Sequence, residues 1–498
     1  MTPHTPPHIA NVAPDHDIVV VGFGPVGSTL AALLAHRGLR VLVVDRETEI
    51  FPLPRAAHFD HEVMRVLQEL GCADEVGPAT ILNPGMEFIT ASGEVLLSVH
   101  SGDLTPSGWP ASILFHQPDL ELVLRDVAER SGSTVRLGVA VSNVTDHGDH
   151  VMVSFADGTA TTSTYLVACD GARSTVRKQL GISMHDLGFE EPWLVADLVL
   201  NDAADRPSLF TLQVCDPMRP TTLVPMPPPR FRFEFMLLPS DDPVGITSSE
   251  SVASLLAPWM DPADATVERA AVYSFHGLIA TEWRRGRVLF AGDAAHQTPP
   301  FLGQGMCSGI RDAQNLAWKL ARVLHGTSPD ALLDTYQLER EPQVRSIIQL
   351  AVDLGRVICT TDPEAAALRD AGMLAARAAG GGTMGQALMP SLPEGPLVAL
   401  GAGGQARQPI IDGTRLDDIA GDRFVVVLRT AAQRSNPGVA FWSAQEALVL
   451  DADTTPEVAT VLDAVHANAM VVRPDRYVLV VGSELEEPNP ALRMMLNG

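Results

Sequence analysis

The sequence predicts an α/β protein: a domain that opens with a βαβ unit, an antiparallel sheet inserted into it, and a small separate α/β domain at the end. Three observations predict this. A β-branched run at 17–21 passes through glycines into a helical stretch and then a second buried run. The buried-strand pattern returns at 287–291, after a proline-rich interval of short alternating strands. A Gly/Pro-rich stretch at 393–409 then sets the tail apart.

Residues 1–14, rich in Pro, His and Thr, read as a loose tail. The run 17–21 suits a central parallel strand, and a helix follows over 25–37, stopped by Gly38. A second strand at 40–45 completes a βαβ unit. The uncharged stretch 18–35 is broken by glycines and Pro25, so it is this strand and helix and not a membrane span. Amphipathic helices are expected at 63–70 and 119–131. Strands are expected at 134–144 and 151–155, with Asp157-Gly158 as a hairpin turn. Another buried strand, 165–169, ends at Asp170-Gly171. From 182 to 275 the alternation predicts the inserted antiparallel sheet, and Met218, Met226, Phe233, Phe235 and Met236 are expected to include cavity walls, with core packing as the default for each. A long helix is expected over 306–324, with Ile310, Ala313, Ala317, Leu320 and Leu324 on one face. Past the linker, strands at 424–428, 447–450 and 477–481 and a helix at 456–467 form the last domain.

Composition narrows the partners. The 498 residues suggest about three domains at roughly 150 residues each. A formal charge of −25 argues against nucleic acid or an anionic membrane, because phosphates would be repelled. Cys72, Cys169, Cys215, Cys307 and Cys359 are far apart and form no CxxC, which excludes a disulfide scaffold and a zinc ribbon and fits a reducing cytoplasm.

Three motifs carry chemistry. The first is Gly22-Phe-Gly24-Pro-Val-Gly27 between strand and helix, where glycines allow a tight turn, close approach of a pyrophosphate, and close packing. The helix N-terminus presents free N–H groups to phosphate, and Asp45 ends the next strand where ribose hydroxyls would lie. This pattern does not separate NAD from FAD. The second is Asp170-Gly171-Ala-Arg173-Ser174, either a dinucleotide contact or an ordinary turn capped by Ser174. Arg173, Arg177 and Lys178 beside it are either a landing site for a second, transient dinucleotide or a solvated helix face. The third is Gly292-Asp293-Ala-Ala-His296, leading through Pro300 and Gly303-Gln-Gly305 into the long helix. Asp293 stands at a strand's carboxyl end, suited to a polyol or ribose hydroxyl, and the helix N-terminus suits an anion. His296 lacks a partner at metal-ligand spacing, and a structural role is its plainer reading. No metal site is expected.

Together these segments resemble the class A flavoprotein monooxygenases, the FAD-dependent aromatic hydroxylases, and within them the 3-(3-hydroxyphenyl)propionate and phenol hydroxylase group. The string from Gly292 to Lys319 is the most specific part, and the likeness spans roughly 15 to 350. It implies an FAD-binding Rossmann-like domain of the glutathione-reductase type at 1–181 and 279–392, a substrate-binding sheet domain at 182–278, and a thioredoxin-like domain at 396–498, best matched at Val472-Arg-Pro-Asp-Arg-Tyr477. It implies tightly bound, non-covalent FAD, NADH or NADPH as co-substrate, O2, and an aromatic small molecule, oxygenated through a C4a-hydroperoxyflavin. It allows a homodimer. Residue by residue, it places Gly22, Gly24 and Gly27 on the FAD pyrophosphate, Asp45 with Arg46 at the adenosine ribose, and Arg55 near pyrophosphate and flavin. Gln117 falls near the ribityl chain and Asp170 on both dinucleotides. Asp293 falls on the ribityl or pyrophosphate region, and Pro300, Gly303, Gly305 and Met306 along the isoalloxazine. Asp60 and His58 are the candidates to take a phenolic proton, against the plainer reading that both only hydrogen-bond within the fold. None of the four tyrosines falls in a matched active-site motif. Relatives that epoxidise, decarboxylate or carry out Baeyer–Villiger oxidation in natural-product pathways share these motifs, and non-catalytic binding proteins share the fold.

Overall fold

A computed structural model describes residues 13–101, 104–384 and 389–497. Most of the loose tail expected at 1–14 lies outside the described residues.

The first sheet is built from strands that tolerate burial on both faces. His16–Val21 pairs in parallel with Ala160–Ala168 on one side and Val41–Val44 on the other. Val288–Phe290 and Thr134–Arg136 extend it outward, also in parallel. Helix Pro25–His36 and the long helix Gly305–Leu324 pack on each other and cover one face. The two strands beside His16–Val21 lie on opposite sides of it, so the chain reverses direction there. Ligands of open α/β sheets bind outside the carboxyl ends of the strands at such a switch point.

The inserted sheet is larger than its segment. Met184–Leu200 pairs antiparallel with Ala265–Ala280 on one side and with Arg230–Met236 on the other. Thr221–Pro225 and Thr211–Val214 follow. Thr211–Val214 then pairs in parallel with Gly85–Ile89, which pairs with Val95–His100. The boundary expected at 182–278 is therefore corrected: strands from the first domain cover what would be an open edge. Period-two geometry also corrects the expected cavity walls. Phe231, Phe233 and Phe235 point together into a core under helix Ser249–Leu256, away from the cavity. Met218 is exposed, and none of the five candidates lines the cavity.

Two long helices escaped the sequence reading. Thr335–Ile358 carries Pro342 in its interior, which breaks the helical signal, and Pro363–Ala378 is mostly exposed and weakly patterned.

The last domain has a four-stranded sheet in which Val425–Leu428 pairs in parallel with Leu448–Asp451 and antiparallel with Ala469–Val472, and Val478–Gly482 closes the edge. The helix expected at 456–467 is shorter, Ala459–Asp463 after a 3₁₀ turn. Trp318 and Leu332 enter this domain's core beside Phe424 and Trp442. A buried ionic network sits at the same junction. Arg473 donates to Glu339 at 2.8 Å and to Asp475 at 2.9 Å. Lys319 reaches the same Glu339 oxygen at 2.8 Å. Asn315 and Trp318 donate to Asp475. Burial alone would raise the Glu339 carboxyl, yet Arg473 and Lys319 hold it at about 2. Arg65 grips Asp417 with two bonds of 2.7 and 2.8 Å on the other flank.

Arg473→Leu should strand two buried carboxylates and cost about 3–5 kcal/mol in urea unfolding. A loss within the roughly 1 kcal/mol of a surface pair would refute the network. Because the Glu339 carboxyl lies below its ordinary 4.5, its contribution is complete above that pH and is lost as acidification approaches about 2. Glu339→Gln should therefore flatten the acid limb of stability.

Candidate active site

A cavity of about 900 Å³ opens between the parallel sheet and the inserted sheet. Its first wall is the glycine turn. Gly22 has φ +103°, and a Cβ there would sit 2.4 Å from the Cys169 carbonyl oxygen. A Cβ on Gly27 would lie 1.9 Å from the Gly22 carbonyl oxygen, and Gly27 does not line the cavity. Its expected cofactor contact is thus corrected to a packing role. Gly24 is different: it lines the cavity, and a Cβ on it would meet nothing in the chain. The backbone there is left bare toward the cavity, where a ligand can approach it.

Asp45 pins the turn, its Oδ2 accepting from the Phe23 N–H at 2.6 Å, and Arg46 stands exposed at the rim. Arg55 is exposed to the cavity over the Phe51 ring. Gln117 has a duty the sequence did not reveal. Its side-chain oxygen accepts from the N–H groups of Arg55 and Ala56 at 2.9 and 2.6 Å, and its amide donates to Glu121. It holds the backbone that carries Arg55. Glu121 and Arg125 line the same wall and escaped the sequence reading, although the spacing 117, 121, 125 marks one helix face.

Asp170 Oδ2 caps the turn at Thr175 and Val176, while its Oδ1 is buried without a partner among the described residues. Burial raises this carboxyl. Ser174 caps the same short helix, accepting from the Arg177 N–H. Arg177 is neither a landing site nor a solvated face: it is buried and donates to the carbonyls of Ala294 and Ala172. Arg173 and Lys178 are exposed.

Asp293 faces the cavity and makes no hydrogen bond among the described residues, and burial within the surrounding protein raises its carboxyl. Pro300, Gly303, Gly305 and Met306 line the cavity together where the long helix begins. His296 is structural. It is fully buried and bonds Asp312 at 2.6 Å, and Asp312 also takes the Gly292 N–H and Arg340.

His58 lines the cavity, and its Nδ1 donates to the Gly303 carbonyl at 3.2 Å, so the neutral ring leaves Nε2 free to accept. A Cβ on Gly303, whose φ is +63°, would strike this ring. For Asp60 the geometry favours the plainer of the two readings left open by the sequence, hydrogen bonding within the fold. Asp60 caps helix His61–Glu69 through the N–H groups of Glu62 and Val63 and is paired with Arg311. Burial would raise it, but Arg311, His61 and His58 hold it at about 2. A carboxylate held so low has little pull on a phenolic proton.

Two further walls escaped the sequence reading. Gln213, Thr222 and Glu234 lie on adjacent strands of the inserted sheet and face the cavity. Tyr477, from the last domain, also lines it, although no tyrosine falls in a matched active-site motif. Its hydroxyl donates to Glu62 at 2.9 Å.

These features fit an FAD. One wall has a bare backbone for a pyrophosphate, two carboxylates stand ready for hydroxyls, and a helix start is open to a flavin ring. The comparisons agree. A family model described as an FAD binding domain matches residues 15–351. A probable NADH-specific resorcinol 4-hydroxylase from Rhodococcus jostii (strain RHA1) is 45% identical over 370 residues, covering 73% of this chain and 69% of the relative. A 3-(3-hydroxy-phenyl)propionate/3-hydroxycinnamic acid hydroxylase from Mycolicibacterium smegmatis is 33% identical over 529 residues, covering 97% of this chain and 93% of the relative. Among solved structures, aklavinone-11 hydroxylase with FAD and aklavinone matches with a TM-score of 0.81 at 24% identity, covering 97% of this chain and 99% of that one. This last likeness is one of fold.

Asp293→Ala should purify with its secondary structure intact but with flavin absorbance reduced at least roughly tenfold, the scale of a lost charge-assisted hydrogen bond. Gly24→Val should do the same. Unchanged flavin content in both would overturn the placement of the cofactor.

Proposed function

The chain belongs to the FAD-binding-domain family and is an FAD-dependent aromatic hydroxylase that consumes NAD(P)H; from that premise we propose that it oxygenates a small, single-ring phenol and prefers NADH. The observation that carries this reading is the meeting of a dinucleotide turn and a polar sheet face in one cavity. The relative at 45% identity, named for resorcinol and NADH, supports both the small ring and the nicotinamide.

FAD, reduced by the nicotinamide, supplies the oxygen-activating chemistry when bound. The residues of the chain prepare the site for it. Gly22 and Gly24 leave backbone for the pyrophosphate, with Arg55 as the nearby cation. Asp45 and Arg46 take the adenosine end. Asp293 and the free oxygen of Asp170 receive hydroxyls. Gln117 acts by fixing the Arg55 backbone. The open first turn at Gly305 and Met306 favours negative charge on the flavin edge, because its N–H groups lack helical partners. His58, held by Gly303, keeps one ring nitrogen available for a proton on the flavin side. The inserted sheet orients the substrate, and Tyr477 helps close the cavity against water.

The last domain is read as thioredoxin-like from its parallel pair followed by an antiparallel pair. It contains no cysteine, so its work is docking and closure, not redox exchange. Five unpaired cysteines support a cytoplasmic location.

The test is oxidation of NADH and NADPH in the presence of resorcinol, 3-(3-hydroxyphenyl)propionate and a polycyclic quinone. Resorcinol should stimulate NADH oxidation and yield a product one oxygen heavier by mass spectrometry. Stimulation by the polycycle alone would move the chain to natural-product oxygenation, and faster turnover with NADPH would remove the NADH preference.

A further inference from the structure

The floor of the cavity carries a row of polar side chains that no cofactor contact explains. Gln213, Thr222 and Glu234 stand directly opposite one another on three neighbouring strands. Their exposures are only 2%, 3% and 6%. Thr222 Oγ1 donates to Gln213 Oε1 at 2.7 Å, which turns the Gln213 amide nitrogen outward as the free end of the pair. That nitrogen finds only the Met86 sulfur, a weak acceptor at 3.7 Å.

Glu234 receives no hydrogen bond from the described residues. Its nearest cation is Arg232, at 3.8 Å, and that guanidinium is committed elsewhere. Arg232 donates to Asp197 at 2.7 Å and to the Arg55 carbonyl at 2.8 Å. Arg269, on the strand beyond, pairs with the other oxygen of Asp197 at 2.8 Å and donates to Tyr273. The cluster of Arg232, Arg269, Asp197 and Glu234 is balanced in charge, and Glu234 is the member on the cavity wall. A buried carboxylate without a donor is expensive, and a hydroxyl on a ligand removes that cost.

We propose that Glu234, with Thr222 beside it and Gln213 one strand beyond, receives a ring hydroxyl of an uncharged hydroxyarene and takes its proton. This rests on the aromatic-hydroxylase reading above. In the step, the phenolic O–H bond breaks, its electron pair stays on the ring oxygen, and the proton forms an O–H bond on Glu234. The ring gains the electron density that oxygen transfer requires. The ring carbon that gains the oxygen then loses its hydrogen as a proton to water, its C–H electron pair restores aromaticity, and the proton held on Glu234 returns to the original ring oxygen. Burial raises the Glu234 carboxyl against the pull of Arg232, with Asp197 adding to the rise and Arg269 opposing it, which makes it a better base than an exposed glutamate.

The same row sets specificity. An aryl carboxylate would bring a second negative charge beside Glu234, on a floor whose two arginines are already engaged. The site therefore favours a neutral diphenol over a phenylpropionate.

The test uses the FAD-loaded enzyme with resorcinol and with 3-(3-hydroxyphenyl)propionate across a pH series. Glu234→Gln should keep its flavin content and thermal midpoint and lose roughly 10²-fold or more in kcat on resorcinol. Wild-type kcat/KM should fall on the acid side as Glu234 is protonated. The variant should lack that limb, with a residual rate that climbs as the free phenol ionises. Glu234→Asp should recover part of the rate. The wild-type preference for resorcinol should narrow in Glu234→Gln. A variant with wild-type rate and pH profile, or a wild type that prefers the phenylpropionate, would overturn the proposal. A wild type inactive on every single-ring phenol would instead overturn the reading beneath it.

Discussion

The guanidinium of Arg311, buried beneath the cavity, joins three stretches of chain that are far apart in sequence. From the long helix it pairs with Asp60 and with Glu62 at 2.6 Å, and it donates to Gln304 at 3.1 Å. Glu62 in turn accepts from Tyr477 of the last domain. One cation thus holds the segment carrying His58, the turn carrying Gly303 and Gly305, and the last domain's tyrosine in a common frame. A buried cation of this kind contributes little net stability, because desolvation offsets attraction. What it supplies is position. Losing Arg311 would leave two buried carboxylates, Asp60 and Glu62, without their shared cation, so the arrangement depends on it.

The same logic repeats away from the cavity. The Asp312 carboxylate ties His296, Gly292 and Arg340, fixing the strand end that delivers Asp293. Arg177 braces that motif against the Asp170 turn through two carbonyls. Arg473 and Arg65 dock the last domain on either side. Several residues of the highly specific string from Gly292 to Lys319 therefore serve these internal braces, while Asp293, Thr298 and the residues from Pro300 to Met306 line the cavity.

The cavity has two chemically distinct sides. One is bare backbone, helix start and carboxylates, all suited to a large anionic cofactor with many hydroxyls. The other is a sheet face whose polar row stands behind no cofactor motif. The aromatic residues of strand Arg230–Met236 point the opposite way, into the core, because alternation allows a strand only one set of residues per face. Phe233 and Phe235 stabilise the floor from within the core, and the glutamate between them faces the cavity.

How much was legible in the linear chain follows from the range of the interactions involved. The glycine turn, the strand-to-helix transitions and the carboxylates at strand ends are local devices. Their backbone requirements are met by neighbours within a few residues, so the first βαβ unit, the long helix and the cofactor motifs could be read directly. The clamp formed by Gln117, the capture of Asp60 by Arg311, the recruitment of Gly85–Ile89 and Val95–His100 into the inserted sheet and the arrival of Tyr477 all depend on partners tens to hundreds of residues away. No local pattern encodes which distant cation will neutralise a given carboxylate. For Asp60 and Glu234 that pairing, made only when the chain is folded, decides which carboxylate stays locked as an anion and which is left to accept a proton.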